Sequence, residues 1–187
     1  MKHDDCIRTF TKRMFDPFKI SPEDINVEDI AHSLSMTVRA NGHIKHFYSV
    51  AQHAIDCTRE AAAKGCSRRV QLACLLHDAS ECYIADIPRP VKYRLSGYAQ
   101  IEQRVSDTVF LACGLGVLTS EELAQLVKID DALLYHEFLA LAGFALFDQM
   151  PKLVLQHSFA YEDIKLVKER FLRIYNALAS ANTEVSE

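Results

Sequence analysis

The sequence predicts an all-α protein, a bundle of about six or seven helices. Three observations predict it. Apolar residues recur at three- and four-residue spacing over several long stretches, strand-type alternation is scarce, and capping residues stand just before the apolar runs. The length of 187 residues suits one domain spanning 1–187.

The elements follow in order. Residues 1–22 read as an irregular N-terminal segment, with Pro17 and Pro22 near its end. Ser21-Pro22-Glu23-Asp24 has the form of a helix start: a capping oxygen, a first-turn proline, then acids favoured by the helix dipole. A helix is expected over Ile25 to Ser35, with Ile25, Ile30, Ala31 and Leu34 apolar. Asn41-Gly42 is a turn. Ser49 to Ala63 reads as a helix closed by Gly65. Ser67 caps the next one, which runs through Val70 to Leu76 and is expected to end near Tyr83.

Asp86-Ile-Pro-Arg-Pro90 cannot be regular helix, because two prolines break the hydrogen-bond ladder. Tyr98 to Cys113 is amphipathic and ends at Gly114 and Gly116. Thr119-Ser-Glu-Glu122 fits a capping box and opens a long helix through Leu123, Leu133 and Leu141, with Pro151 at or beyond its end. Ile164 to Leu178 forms a last helix, and the polar tail 180–187 is expected to fray.

Composition bounds the function. The chain is 49% hydrophobic and 25% charged, with a formal net charge of −4. It lacks the basic footprint of a nucleic-acid binder, so no stable nucleic-acid partner is expected. Neither an apolar signal region nor a membrane span is legible, which points to a cytoplasmic protein. None of the six cysteines stands in a C-x-x-C spacing, and four lie in apolar, helix-like stretches. They read as reduced thiols packed as small hydrophobes rather than as disulfides or a cysteine zinc site.

The chemistry gathers at three places. In Leu72-Ala-Cys-Leu-Leu-His-Asp-Ala79, His77 and Asp78 follow an apolar run. A carboxylate buried there without a partner would cost several kcal/mol, so a compensating cation is one answer and a solvent-edge position the other. Glu81 lies one helical turn on, where a carboxyl can exchange a proton with bound water or a leaving group. His53 has Val50 and Cys57 as helical neighbours and so faces inward, although a lone inward histidine is more often a satisfied core residue than a ligand. Third, Asp130 and Asp131 sit in a strongly apolar helix. Asp130 is flanked by Leu126, Val127, Leu133 and Leu134, the more apolar surroundings, where a carboxylate most needs a partner. Two histidines and two aspartates from three helices suit a divalent transition metal.

These residues, in this order, resemble the HD-domain metal-dependent phosphohydrolase superfamily. The stretch from His77-Asp-Ala-Ser-Glu81 to Asp86-Ile-Pro-Arg-Pro-Val-Lys-Tyr93 is similar to bacterial 5′-deoxynucleotidases. Residues 29–35 and Gly42 to His53 resemble a prophage-associated branch of the same superfamily. The likeness covers roughly residues 28–140 and implies an HD-type helical bundle. It implies His53, His77 and Asp78 as metal ligands, Glu81 as catalytic acid/base with Asp78 assisting, and Asp86 as a group that contacts substrate or orients the site. For the fourth ligand the deoxynucleotidase pattern selects Asp131. The prophage pattern, an aspartate followed seven residues later by a glutamate, selects Asp130, and the packing argument favours Asp130.

No histidine stands between Asp78 and Asp130, where dinuclear relatives carry extra ones, so a single divalent ion is expected: manganese, cobalt, iron, zinc or magnesium. Arg39 is a candidate bidentate fork for a substrate phosphate. Lys45, Arg89, Lys92 and Arg94 are further cations on hand. The implied activity is removal of phosphate from (deoxy)nucleoside 5′-monophosphates. A deoxynucleoside triphosphate hydrolase and a non-catalytic nucleotide-binding protein are the alternatives, and an apolar helix face leaves a homodimer possible.

Overall fold

The computed structural model describes residues 5–180. The expected frayed tail therefore lies, apart from Ser180, outside the described residues. A short antiparallel hairpin pairs β1 (Ile7–Arg8) with β2 (Met14–Phe15). The helices are α1 (Val27–Met36), α2 (Val50–Ala63), α3 (Arg68–Leu76), α4 (Glu81–Ile84), α5 (Arg89–Lys92), α6 (Tyr98–Ala112), α7 (Ser120–Leu141) and α8 (Ile164–Ala179). Six of these have nine residues or more, and α4 and α5 are single turns. The all-α bundle is thus the observed fold.

Local chemistry accounts for most helix starts. Ser49 and Thr119 each close a capping box, with Gln52 and Glu122 reaching back to the cap. Ser67 accepts from the Val70 amide to start α3. α2 packs against α1, α3, α7 and α8, so it is the element around which the others gather. Ile55, Leu72, Leu75, Leu76, Leu133 and Phe171 are fully buried at these contacts. Burying each such side chain stabilises the fold by about 1.5–3 kcal/mol.

Four expectations need correction. The helix expected from Ile25 starts at Val27: Ser21 and Asp24 close a separate 3₁₀ turn over Pro22–Asp24, Ile25 and Asn26 are extended, and Asn26 is the true cap. The N-terminal segment is not wholly irregular, since it holds the hairpin and a 3₁₀ turn at Pro17–Lys19. α3 ends at Leu76, not near Tyr83. From there the chain tightens into three-residue turns, with Ala79 N–H donating to Leu76, Glu81 to Asp78 and Tyr83 to Ser80. Tight turns of this kind eclipse residues i and i+3, so Asp78 and Glu81 share one side. Finally, Arg89–Lys92 is helical despite Pro90, because a proline in a first turn forfeits no ladder bond.

Candidate metal centre

Three helices bring the donors together. His53 lies on α2, His77 is the C-terminal cap of α3, and Asp130 sits midway along α7. The ligand atoms of His53, Cys57, His77 and Asp130 all lie within 4.8 Å of one another. Asp130 Oδ1 is 3.0 Å from His53 Nε2 and 3.6 Å from His77 Nε2. Asp78 Oδ2 is 3.3 Å from His77 Nε2 and 3.9 Å from His53 Nε2. Asp131 points elsewhere, with Oδ1 4.0 Å from Arg89 at the surface.

The outward nitrogens decide what the inner ones can do. His77 Nδ1 lies 2.8 Å from the Cys74 carbonyl, which only accepts, so Nδ1 carries the proton. His53 Nδ1 donates to Glu137 Oε1 at 2.6 Å. The two Nε2 atoms then face each other 3.3 Å apart, lone pair toward lone pair. A cation or an extra proton relieves that arrangement. Burial disfavours a charge on both rings, yet Glu137 and Asp130 at His53, and Asp78 and Asp130 at His77, pull both pKa values upward. Asp78 and Asp130 are also buried, but the imidazoles in their protonated form hold both carboxyls far below the usual carboxylate range, with Arg39 assisting at Asp78.

Charge gives an independent test of fit. Asp78, Asp130 and Glu137 face a single guanidinium, that of Arg39. With neutral imidazoles the cluster carries two net negative charges, which a divalent ion balances. Nitrogen and oxygen donors on helices, with Asp78 and Asp130 at 20% and 24% side-chain exposure, leave one side reachable from solvent. The residues fit a divalent metal.

Glu81 flanks this cluster. It is buried, its Oε2 has no hydrogen-bond partner among the described residues, and its Oε1 lies 3.6 Å from Lys92 Nζ. Burial, Asp78 and Asp86 push its carboxyl up to about 9 against Arg39 and Lys92, so it holds a proton at neutral pH. Asp86 is half-buried and contributes to that shift through space. The residue before it, Ala85, has φ 70 and ψ 154, a region kept almost wholly for glycine. Tyr98 Oη–H donates to the Ala85 carbonyl at 3.2 Å and helps hold this strained corner.

Arg39 does not stand free for a phosphate. Its Nη1 is 3.3 Å from Asp78 and its Nη2 is 3.4 Å from Glu137. Sequence reasoning also gave Cys57 and Glu137 no role in the site. Cys57 is one turn after His53, a signal carried by helical spacing, and Glu137 served only as the glutamate seven residues after Asp130 in the prophage pattern. Cys57 Sγ lies 3.5 Å from His53 Nε2. Burial and the nearby Asp130 keep it a thiol.

Residues 31–139, more than half of the chain, match the HD domain family. The chain belongs to the HD-domain family. Two curated relatives align with this HD-domain protein. Uncharacterized protein YfdR of Escherichia coli is 39% identical over 109 residues, 58% of each chain. An uncharacterized protein of Rhodobacter capsulatus is 34% identical over 129 residues, 66% of each chain. The HD-domain chain therefore aligns with less than two thirds of either relative's length. No described helix is long and apolar enough to cross a membrane.

Proposed function

We propose that this HD-domain protein is a phosphomonoesterase that releases phosphate from (deoxy)nucleoside 5′-monophosphates. The observation that carries this reading is the pair of Nε2 atoms converging beside Asp130, with the buried Glu81 carboxyl, one oxygen unpartnered among the described residues, alongside. In this reading His53, His77, Asp78 and Asp130 hold one divalent ion, and Asp86 orients the substrate side of the site. A bound ion of this kind supplies Lewis acidity toward a phosphate oxygen and acidifies nearby water.

The chain's own groups do the rest. Glu81 donates its proton to the leaving ribose oxygen, and its raised pKa makes it a competent acid at neutral pH. Water attacks the phosphorus as the ester P–O bond breaks, and Asp78, held ionised, receives the proton that the water gives up. Both arms of Arg39 are engaged and Lys92, half-buried beside Glu81, bonds Glu102, so the more exposed Arg89 is the candidate cation for the substrate's remaining charge. The likeness of residues 77–93 to 5′-deoxynucleotidases supports the monophosphate as substrate.

The test is a panel of nucleoside mono- and triphosphates assayed with manganese, cobalt, magnesium and iron, products separated by chromatography. Free phosphate from monophosphates is expected. Release of intact triphosphate from deoxynucleoside triphosphates would instead establish the triphosphohydrolase alternative. Glu81→Gln is expected to keep its metal and lose turnover by roughly 10²–10⁴-fold, the usual share of a positioned proton donor. Retained turnover would remove Glu81 from the role.

A further inference from the structure

We propose that Glu137 and Arg39 form a buried brace that orients two of the metal-binding side chains, His53 and Asp78. The inference rests on the metal-centre reading above. Glu137 is 2% exposed on α7, and its two oxygens are divided. Oε1 takes the Nδ1 proton of His53 at 2.6 Å, and Oε2 faces Arg39 Nη2 at 3.4 Å. Arg39 then spends its other arm, Nη1, on Asp78 at 3.3 Å. A continuous chain His53–Glu137–Arg39–Asp78 results, linking α2, α7, the turn before α2 and the turn after α3.

Two features separate this brace from an ordinary buried ion pair. The shortest contact is from Glu137 to the histidine, on the ring nitrogen that points away from the donor cluster, so the carboxylate sets the tautomer that presents a lone pair inward. The Arg39 side chain is 11% exposed, with an unpartnered Nε among the described residues, and its backbone opens a strained turn in which Ala40 and Asn41 both have φ 51. Non-glycine residues rarely adopt that conformation, and two in succession fix where the guanidinium is delivered. Glu137 and Arg39 are thus positioning residues, acting through His53 and Asp78.

The experiment is cobalt(II) titration of the full chain by calorimetry and visible absorption, with circular dichroism on each variant. Glu137→Gln keeps a hydrogen-bond acceptor and removes the charge. It is expected to weaken cobalt binding roughly 10–100-fold, as loss of an outer histidine partner does, and to shift the cobalt absorption bands while helix content stays as in the wild type. Arg39→Lys, which keeps the charge and loses the fork, is expected to weaken binding less. Should Glu137→Gln not fold, Glu137→Asp is judged by the same titration, with a partial loss expected. Wild-type affinity and spectrum in whichever variant folds would overturn the brace while leaving the metal centre standing. A wild-type chain that takes up no cobalt would overturn both.

Discussion

At the scale of single residues, Asp130 and Asp131 are neighbours with opposite surroundings. Asp130 is drawn toward two imidazoles that hold it ionised. Asp131 is 40% exposed, and burial together with Asp130 raises its pKa. Asp130→Asn is expected to weaken metal binding by more than the roughly 10–100-fold that loss of an outer partner costs. Asp131→Asn is expected to bind like the wild type. Metal content after equilibrium dialysis compares the two directly, and the reverse order would give the ligand role to Asp131. The sequence already favoured Asp130, because the apolar character of positions 126, 127, 133 and 134 is local to one helix. The partner of His53 was not legible in the same way, since Glu137 lies 84 positions away and meets it only through packing.

At the scale of elements, α2 carries a polar stripe at four-residue spacing that fastens the long segment between α7 and α8. Gln52 Nε2 donates to the Ala160 carbonyl, and Glu60 accepts from the amides of Val154 and Leu155. His157, with a side chain 0% exposed, lies between Asp56 Oδ1 at 3.1 Å and Glu60 Oε2 at 3.4 Å. Burial works against charging this imidazole, but Asp56 and Glu60 outweigh it and raise its pKa above 6.5. Burial likewise opposes ionisation of Glu60, but the two amides, Lys64 and His157 lower it from 4.5 to about 2.

The signs give a window. His157 contributes fully below pH 6.5 and loses its contribution as pH rises through its higher folded value. Glu60 contributes fully above pH 4.5 and loses its contribution as pH falls toward about 2. The clamp is therefore strongest between these limits. His157→Leu is expected to cost about 1.5–3 kcal/mol at pH 6, the usual range for hydrogen bonds to charged groups. The difference from wild type is expected to shrink in alkaline buffer. Urea denaturation at pH 6 and pH 9 measures it, and an equal loss at both would show that packing rather than charge holds the segment. Nothing in the linear pattern of residues 142–163 announced this clamp. The segment has no helical period, and its anchors lie on α2.

At the scale of the whole molecule, the candidate metal centre ties together three helices, α2, α3 and α7, that pack on one another. An ion that binds the folded chain and not the unfolded one stabilises it by about 2.7 kcal/mol at a hundred times its dissociation constant. For a chain of this size that corresponds to a rise in melting temperature of roughly 5–10 °C. Thermal scans with saturating cobalt or manganese, and again after chelation with EDTA, are expected to differ by that amount. An unchanged melting temperature would mean that the donor cluster captures no ion in the native state.

Sequence by itself determined the helical class, the starts of α2, α3 and α7, and which histidines and acids deserved attention. Each follows from interactions within a few residues: capping boxes, apolar periodicity, and the cost of an acid inside an apolar run. Tertiary structure alone decided that the two Nε2 atoms meet and that Arg39 is held by Asp78 and Glu137. Those outcomes depend on groups far apart in the chain, up to 98 positions between Arg39 and Glu137, brought within hydrogen-bonding range only when the helices pack around α2.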